Sequence, residues 1–562
     1  MDVRKDNPLI VQSDRTVLLE VDGPKYADAR DALAVFAELV KSPEHIHTYR
    51  ITPLSIWNAK AAGHSADEMV EALTSLAKYP VPQNIVRDIR DYAARYGRVR
   101  LVREGPRLIL ESEDAALLQE AWSNKAVRRY LVERLSLQRI EVDPAMRGHV
   151  KQAMIRVGYP VEDLAGFVDG GPLAIALDEG RFRVRRYQEA AVDAFWAGGS
   201  ARGGSGVVVL PCGAGKTIVG MGAMARVGRK TLVLTTNLTA VRQWREELLA
   251  KCRIDAGDIG EYTGERKEIR PVTLSTYQIL TYRRSKTESF VHFGLLSGND
   301  WGLIVYDEVH LLPAPVFRVT AEIQATRRLG LTATLVREDG KEDEVFTLIG
   351  PKRYDVPWKE LERQGFIAQA SCTEVRVPLA DQHQRLRYAT ADKREKFRIA
   401  SENPRKMDTL KRLLARHEGE LVLVIGQYLR QLKEIARLVQ APLITGRTPN
   451  DERSELYGKF RRGEIRVLVV SKVGNFAIDL PDASVLVQVS GTFGSRQEEA
   501  QRLGRILRPK SDGGQAHFYS LVTRDTSDQD FAQNRQLFLT EQGYSYRIVD
   551  DRELEAAGGP GA

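Results

Sequence analysis

A chain of 562 residues is too long for one core and predicts about three or four domains, while 43% apolar and 28% charged content exclude a disordered or fibrous protein. Net charge is +8, spread as −3 over residues 1–180, +6 over 181–370 and +5 over 371–562, so the positive excess sits on the last two thirds and suits a polyanion partner. The scattered Cys212, Cys252 and Cys372 exclude a disulfide framework or zinc site, and the absence of an apolar leader or a long apolar run predicts a cytoplasmic protein without membrane contact.

Residues 8–21 alternate around Ser13-Asp14-Arg15 and predict a hairpin. Helical periodicity follows at 26–41, 53–62, 65–78 and 84–96. Arg98–Val102 and Arg107–Leu110 flank Glu104-Gly105-Pro106, a second hairpin. Helices followed by a two-stranded wing predict a winged-helix-like module over 1–110. The arginines that crowd its end suit either a phosphate grip or a solvated protein-docking face. Residues 111–180 hold mixed helices and a strand near Leu137–Val142, and Gly170-Gly171-Pro172 marks the loop that closes the segment.

From 181 the rhythm changes to alternating strands and helices. Strands are predicted at 206–210, 231–236, 272–276, 302–307 and 329–332, then at 421–426, 442–446, 465–471, 485–490 and 517–523. The second run carries helices at 428–439, 450–461 and 495–507. Such alternation argues parallel sheets covered on both faces, here as two lobes, 181–370 and 371–550, with a cleft between them. A polar segment at about 378–415 reads as a charged helical insertion, and 551–562 as a disordered tail.

The chemistry starts at Val207-Val208-Val209-Leu210-Pro211-Cys212-Gly213-Ala214-Gly215-Lys216-Thr217. Strand, Gly-rich turn and helix aim backbone N–H groups at a phosphate. Gly213, Ala214 and Gly215 form the turn, Lys216 suits the β/γ-phosphates of ATP, and Thr217 suits Mg²⁺. Leu210 stands where the general pattern has its first glycine, which marks the shorter, helicase-type loop. Leu303–Tyr306 is an apolar strand that ends in Asp307-Glu308. There Asp307 can reach the same Mg²⁺ and Glu308 can activate the attacking water. Arg505 and Arg508 share one helix face with Gln501 and suit arginine fingers supplied across the cleft. Arg185 precedes Tyr187-Gln188, where Gln188 can pair with an adenine edge.

Together these residues resemble the helicase core of the second superfamily, over residues 181–523. Gly330-Leu331-Thr332-Ala333-Thr334 is similar to that family's Ser/Thr-Ala-Thr motif. Gln243 with Trp244, and Thr276 with Tyr277, resemble strand-contacting motifs of the first lobe. Ser471-Lys472 through Asp479-Leu480-Pro481 is similar to the second-lobe motif that touches both nucleic acid and nucleotide. Asp307-Glu308-Val309-His310, and Leu331–Thr334 followed by Arg337-Glu338-Asp339, narrow the resemblance to XPB helicases. So do Arg535–Leu539 with Glu541–Tyr546, and in the N-terminal part Pro8–Val11 and His47–Thr52.

The resemblance implies an α/β fold with two tandem RecA-like P-loop lobes and smaller N-terminal α+β modules. It further implies a damage-recognition-like domain over 111–180 and a thumb-like element near 378–415. The activity implied is ATP-dependent 3′-to-5′ movement on single-stranded or forked DNA, with duplex opening by Arg337, Glu338 and Asp339. The alternatives are a double-stranded DNA translocase and an ATP-gated scaffold for a partner nuclease or other repair protein. An RNA helicase would share the core, because backbone contacts do not distinguish the sugars.

Overall fold

The computed structural model describes residues 4–41, 45–200, 202–211, 213–285, 290–323, 326–333, 342–356, 361, 362, 364, 366, 370–471, 483–491, 515–541 and 546–554. The chain begins as an antiparallel sheet in the order Leu9–Val11, Thr16–Glu20, Ile46–Arg50, Glu38–Lys41. Helices Tyr26–Phe36, Pro53–Ala61, Ala66–Leu76 and Gln83–Arg95 cover it, with Leu33, Ile56, Leu73 and Ile85 closing over Val17 and Leu19. Two of these helices start where local chemistry dictates. Thr52 and Ser65 each accept from the backbone N–H three residues on, and Ser55 and Glu68 return the bond. The helix predicted over 26–41 stops at Phe36, and its tail is the edge strand Glu38–Lys41.

The hairpin Val99–Glu104/Arg107–Glu111 forms as expected, but it is no wing on the preceding helices. It is the middle of a five-stranded sheet ordered Leu131–Ser136, Arg139–Val142, Arg107–Glu111, Val99–Glu104, Val161–Asp163. Leu101, Leu108 and Leu110 bury against Leu118 and Val150 of the helices that follow, so hydrophobic contact draws the hairpin forward in the chain. The winged-helix-like reading of 1–110 is therefore corrected. Arg147 and Lys151 grip Asp163 inside this unit at 2.8 and 3.0 Å.

Two parallel sheets of seven strands make up the rest. The first runs Ile259–Tyr262, Val272–Thr276, Thr231–Thr235, Leu303–Asp307, Arg327–Thr332, Ser205–Val209, Lys352–Asp355. The second runs Leu443–Ile444, Val467–Ser471, Val422–Gly426, Val485–Gln488, Ala516–Thr523, Ala370–Val377, Tyr546–Asp550. The fold is thus α/β with two RecA-like lobes preceded by smaller mixed-sheet units. The predicted insertion at 378–415 resolves into three helices. Gln382–Thr390 buries no side chain, whereas Arg405–Arg416 sinks Leu410 and Leu413 into the second-lobe core and pairs Lys406 with Asp528 at 2.9 Å.

The N-terminal unit touches both lobes. Asn58 Oδ1 accepts from Lys352 N at 3.3 Å and Ala61 O accepts from Arg353 Nη1 at 3.4 Å, while helix Ser527–Glu541 packs on strand Glu38–Lys41. The middle unit seats on the first lobe through Arg202 Nε, which donates to Glu162 Oε1 at 3.1 Å. A cavity of about 1220 Å³ lies at this junction, between Lys60, Arg100, Lys151, Arg202 and Arg353, away from the phosphate-binding loop.

Candidate nucleotide site and the surfaces around it

Strand Ser205–Val209 lies buried in its sheet, pairing Val209 with Thr332 of the neighbouring strand. Its carboxyl end turns through Gly213 and Gly215, both at φ near +80°, into helix Lys216–Val227. That backbone region is open to glycine at little cost, and it leaves the helix N-terminus and its amides facing outward. Upstream residues brace the loop. Tyr187 Oη donates to Ala214 O at 2.7 Å, and Gln188 Nε2 donates to the same oxygen at 2.9 Å. Gln188 Oε1 accepts from Arg185 N at 3.0 Å, so a side chain only 2% exposed is fixed at both ends. Each end of its amide keeps a second hydrogen-bonding capacity. Arg185 donates to Tyr187 Oη at 3.1 Å and lies 4.8 Å over the Phe366 ring.

The strand-end acids stand against this loop. Lys216 Nζ is 3.1 Å from Glu308 Oε1, which joins the first residue of the loop helix to the second acid. Glu308 has φ 51° and ψ 54°, a left-handed backbone on a non-glycine residue, the kind of strain that concentrates at working sites. Among the described residues Glu308 Oε2 is buried with no hydrogen-bond partner, and His310 Nδ1 is 3.5 Å away. His310 Nδ1 and Thr332 Oγ1 lie 2.7 Å apart, which ties the acid box to the strand that ends in Thr332-Ala333.

The two acids titrate apart. Burial, followed by the Glu308 charge, pushes Asp307 up to about 6, against the pull of the Trp244 hydrogen bond and Lys216. Burial also opposes ionisation of Glu308, but Lys216 and His310 outweigh it and hold that carboxyl below the ordinary glutamate value. A carboxylate and a hydroxyl are hard oxygen donors, so Asp307 and Thr217 fit Mg²⁺ by chemistry. The unbonded Glu308 oxygen fits a group that must accept a proton from water.

Several predicted strand contacts lie elsewhere than on a surface. Trp244 is 1% exposed, and its Nε1 donates to Asp307 Oδ2 at 3.0 Å. Its helix, Leu238–Lys251, is capped by Asn237 and turns Val241, Trp244 and Leu248 inward, which leaves Gln243 exposed. Tyr277 is buried too, donating through Oη to the Asp307 carbonyl at 2.8 Å, and Thr276 is the buried cap of the short helix Tyr277–Leu280. Trp244, Thr276 and Tyr277 are therefore corrected from strand contacts to supports of Asp307 and its neighbourhood, while Gln243 keeps a solvent face. Ser471 ends its strand buried, with no hydrogen-bond partner for Oγ among the described residues. Arg337, Glu338, Asp339, Lys472, Asp479, Gln501, Arg505 and Arg508 lie outside the described residues.

Comparison with known proteins agrees with this geometry. A family model described as the ERCC3/RAD25/XPB C-terminal helicase matches residues 361–557, and one described as the type III restriction enzyme res subunit matches 181–337. A third, described as a helicase conserved C-terminal domain, matches 9–136, which takes in the first sheet and part of the second. The chain is 57% identical to the DNA 3'-5' helicase XPB of Mycobacterium tuberculosis, over 98% of this chain and 99% of that one. To the DNA 3'-5' helicase XPB of Kineococcus radiotolerans it is 55% identical, over 98% of each. Among solved structures, the type ISP restriction-modification enzyme LlaBIII bound to DNA shares the fold alone. Its TM-score is 0.50 at 12% identity, over 70% of this chain and 34% of that one. Near-complete coverage by such relatives, on a chain whose loop lysine already meets its strand-end glutamate, places this protein in the XPB helicase family.

Proposed function

We propose that the chain is an ATP-dependent DNA helicase that moves 3′ to 5′ along one strand and opens duplex DNA in repair. The observation that carries this reading is the Lys216–Glu308 pair at 3.1 Å beside the unbonded Glu308 Oε2. Lys216 is the group that meets the β/γ-phosphates, and each time it does so it leaves Glu308. The freed carboxylate then accepts the proton of the attacking water. Asp307 and Thr217 hold Mg²⁺, which supplies charge neutralisation to the phosphates. Gly213, Ala214 and Gly215 cradle them with backbone, and Arg185 and Gln188 flank the base. Gln501, Arg505 and Arg508 are the second-lobe groups proposed to meet the γ-phosphate, and Asp479 joins them at the nucleotide. Gln243, Ser471 and Lys472 are proposed to follow the nucleic-acid backbone, and Arg337, Glu338 and Asp339 to part the duplex.

Lys216→Ala is expected to abolish DNA-stimulated ATP hydrolysis with the circular-dichroism spectrum unchanged. Strand displacement should require an unpaired 3′ tail and stop in the same variant. Full ATPase activity in Lys216→Ala would overturn the assignment.

A further inference from the structure

The carboxyl edge of the first-lobe sheet continues beyond the nucleotide site to its outermost strand, Ile259–Tyr262. That strand is three inter-strand spacings from Leu303–Asp307, roughly 14 Å along the edge. Past Gln278, Tyr282 meets both Ile279 and Val291 through the backbone. Tyr282 N donates to Ile279 O and Val291 N donates to Tyr282 O, both at 3.3 Å.

Rings gather around Tyr282. The His292 imidazole stands edge-on to Tyr262 at 5.6 Å and tilts against Tyr282 at 6.1 Å. Tyr262 Oη and His292 Nδ1 are 2.9 Å apart, so the imidazole is locked from behind. Burial, with the Lys267 charge second, holds His292 below its ordinary value, and at neutral pH it is an uncharged aromatic ring. Cations flank the rings: Lys267 Nζ lies 4.9 Å from the Tyr262 centroid and Arg283 lies 5.4 Å from that of Phe290. Tyr282 itself is 52% exposed. A ring left half in water but braced by a locked neighbour adds little to a core. Its exposed part is an apolar, π-bearing surface, with Arg283 next to it in the chain and Lys267 on the far side of the ring cluster.

We infer that Tyr282, backed by His292, is a stacking platform for one unpaired base of a nucleic-acid strand lying along this edge, with Lys267 and Arg283 taking the adjoining phosphates. The inference rests on the proposed helicase function and adds to it a contact with the base where the loop motifs offer only backbone contacts. Stacking accepts any base, so the platform is indifferent to sequence but not to the presence of a base. It shares no side chain with the nucleotide site.

The test is fluorescence anisotropy on the full chain without ATP, at one fixed salt concentration. It uses a short single-stranded oligodeoxynucleotide and its counterpart carrying abasic sites. The parent is expected to prefer the base-bearing strand by about fivefold or more, as one aromatic stack provides. Tyr282→Ala should remove about fivefold of that preference and leave abasic affinity unchanged, and Tyr282→Phe should restore it. An unchanged preference in Tyr282→Ala overturns the platform, and so does a loss shared equally by the abasic strand. Abasic-strand binding and DNA-stimulated ATP hydrolysis report on the helicase function separately, and both persist if only the platform is wrong.

Discussion

Trp244→Phe tests the most specific contact in the site. The indole is 1% exposed and its Nε1 gives Asp307 Oδ2 a hydrogen bond of 3.0 Å. Phenylalanine keeps much of the ring and removes that donor. A hydrogen bond to a charged group is worth about 1.5–3 kcal/mol, which is roughly one to two pKa units on a carboxyl that burial already lifts to about 6. In the variant Asp307 is therefore about half or more protonated at neutral pH, and in the proposed role Mg²⁺ must compete with that proton. The Mg²⁺ concentration for half-maximal DNA-stimulated ATP hydrolysis should rise by about 2- to 10-fold at pH 7, the factor by which a proton on a carboxyl raised one to two units competes with the metal. At pH 9 the carboxyl is ionised in both proteins and the gap should narrow sharply. Thermal denaturation run alongside reads the packing lost with the smaller ring, about 1–3 kcal/mol. If the melting temperature falls while the Mg²⁺ requirement is unaltered at both pH values, Trp244 is a packing residue only and the reasoning is refuted.

A methyl group at Gly220 would lie 2.5 Å from Trp244 Cη2 and 3.2 Å from Leu331 Cδ1. Gly220→Ala is therefore expected to cost about 1–3 kcal/mol in urea denaturation, and much less in a Trp244→Phe background where the obstructing ring is smaller. Simple additivity of the two losses would contradict the contact. Burial, with the Arg30 charge second, holds His47 down to about 4 in the N-terminal unit, against 6.5 ordinarily. Between those values the unfolded chain binds a proton that the folded chain does not. Stability should therefore be lost as pH falls from about 6.5 to about 4, at no more than about 1.4 kcal/mol per pH unit. His47→Gln should flatten the melting-temperature profile across that window, and parallel slopes for parent and variant would refute the assignment.

Most of the α/β alternation was legible because buried parallel strands such as Val207–Val209, Leu303–Tyr306 and Val422–Ile425 are continuous apolar runs. In the two seven-stranded sheets the strands that escaped notice are Ile259–Tyr262, Lys352–Asp355, Ala370–Val377 and Tyr546–Asp550. Three of them are sheet edges and all carry charged or small residues, so periodicity is silent there. Within the candidate site, the meeting of Lys216 with Glu308 was legible because a Gly-rich turn and an acid pair both follow the carboxyl ends of predicted parallel strands. Trp244 was misread although the signal was present: Val241, Trp244 and Leu248 repeat with the period of a buried helix face, which places the indole inside. Thr276 carried the signal of a helix cap. The fate of the 99–111 hairpin was set by strands that arrive some thirty to fifty residues later, a non-local pairing that no window along the chain contains.

The seat of the N-terminal unit on both lobes has a consequence for motion. Asn58 and Ala61 hold it to the first lobe, and strand Glu38–Lys41 rests on a helix of the second. A stiff body fastened at two points works as a strut. In the proposed motor, rotation of the lobes toward each other would load both fastenings, since a packed interior shears rather than stretches. Among the described residues two hydrogen bonds between backbone and side chain, each longer than 3.2 Å, serve the first-lobe seat, so in the proposed motor that end is the cheaper one to release as the lobes close.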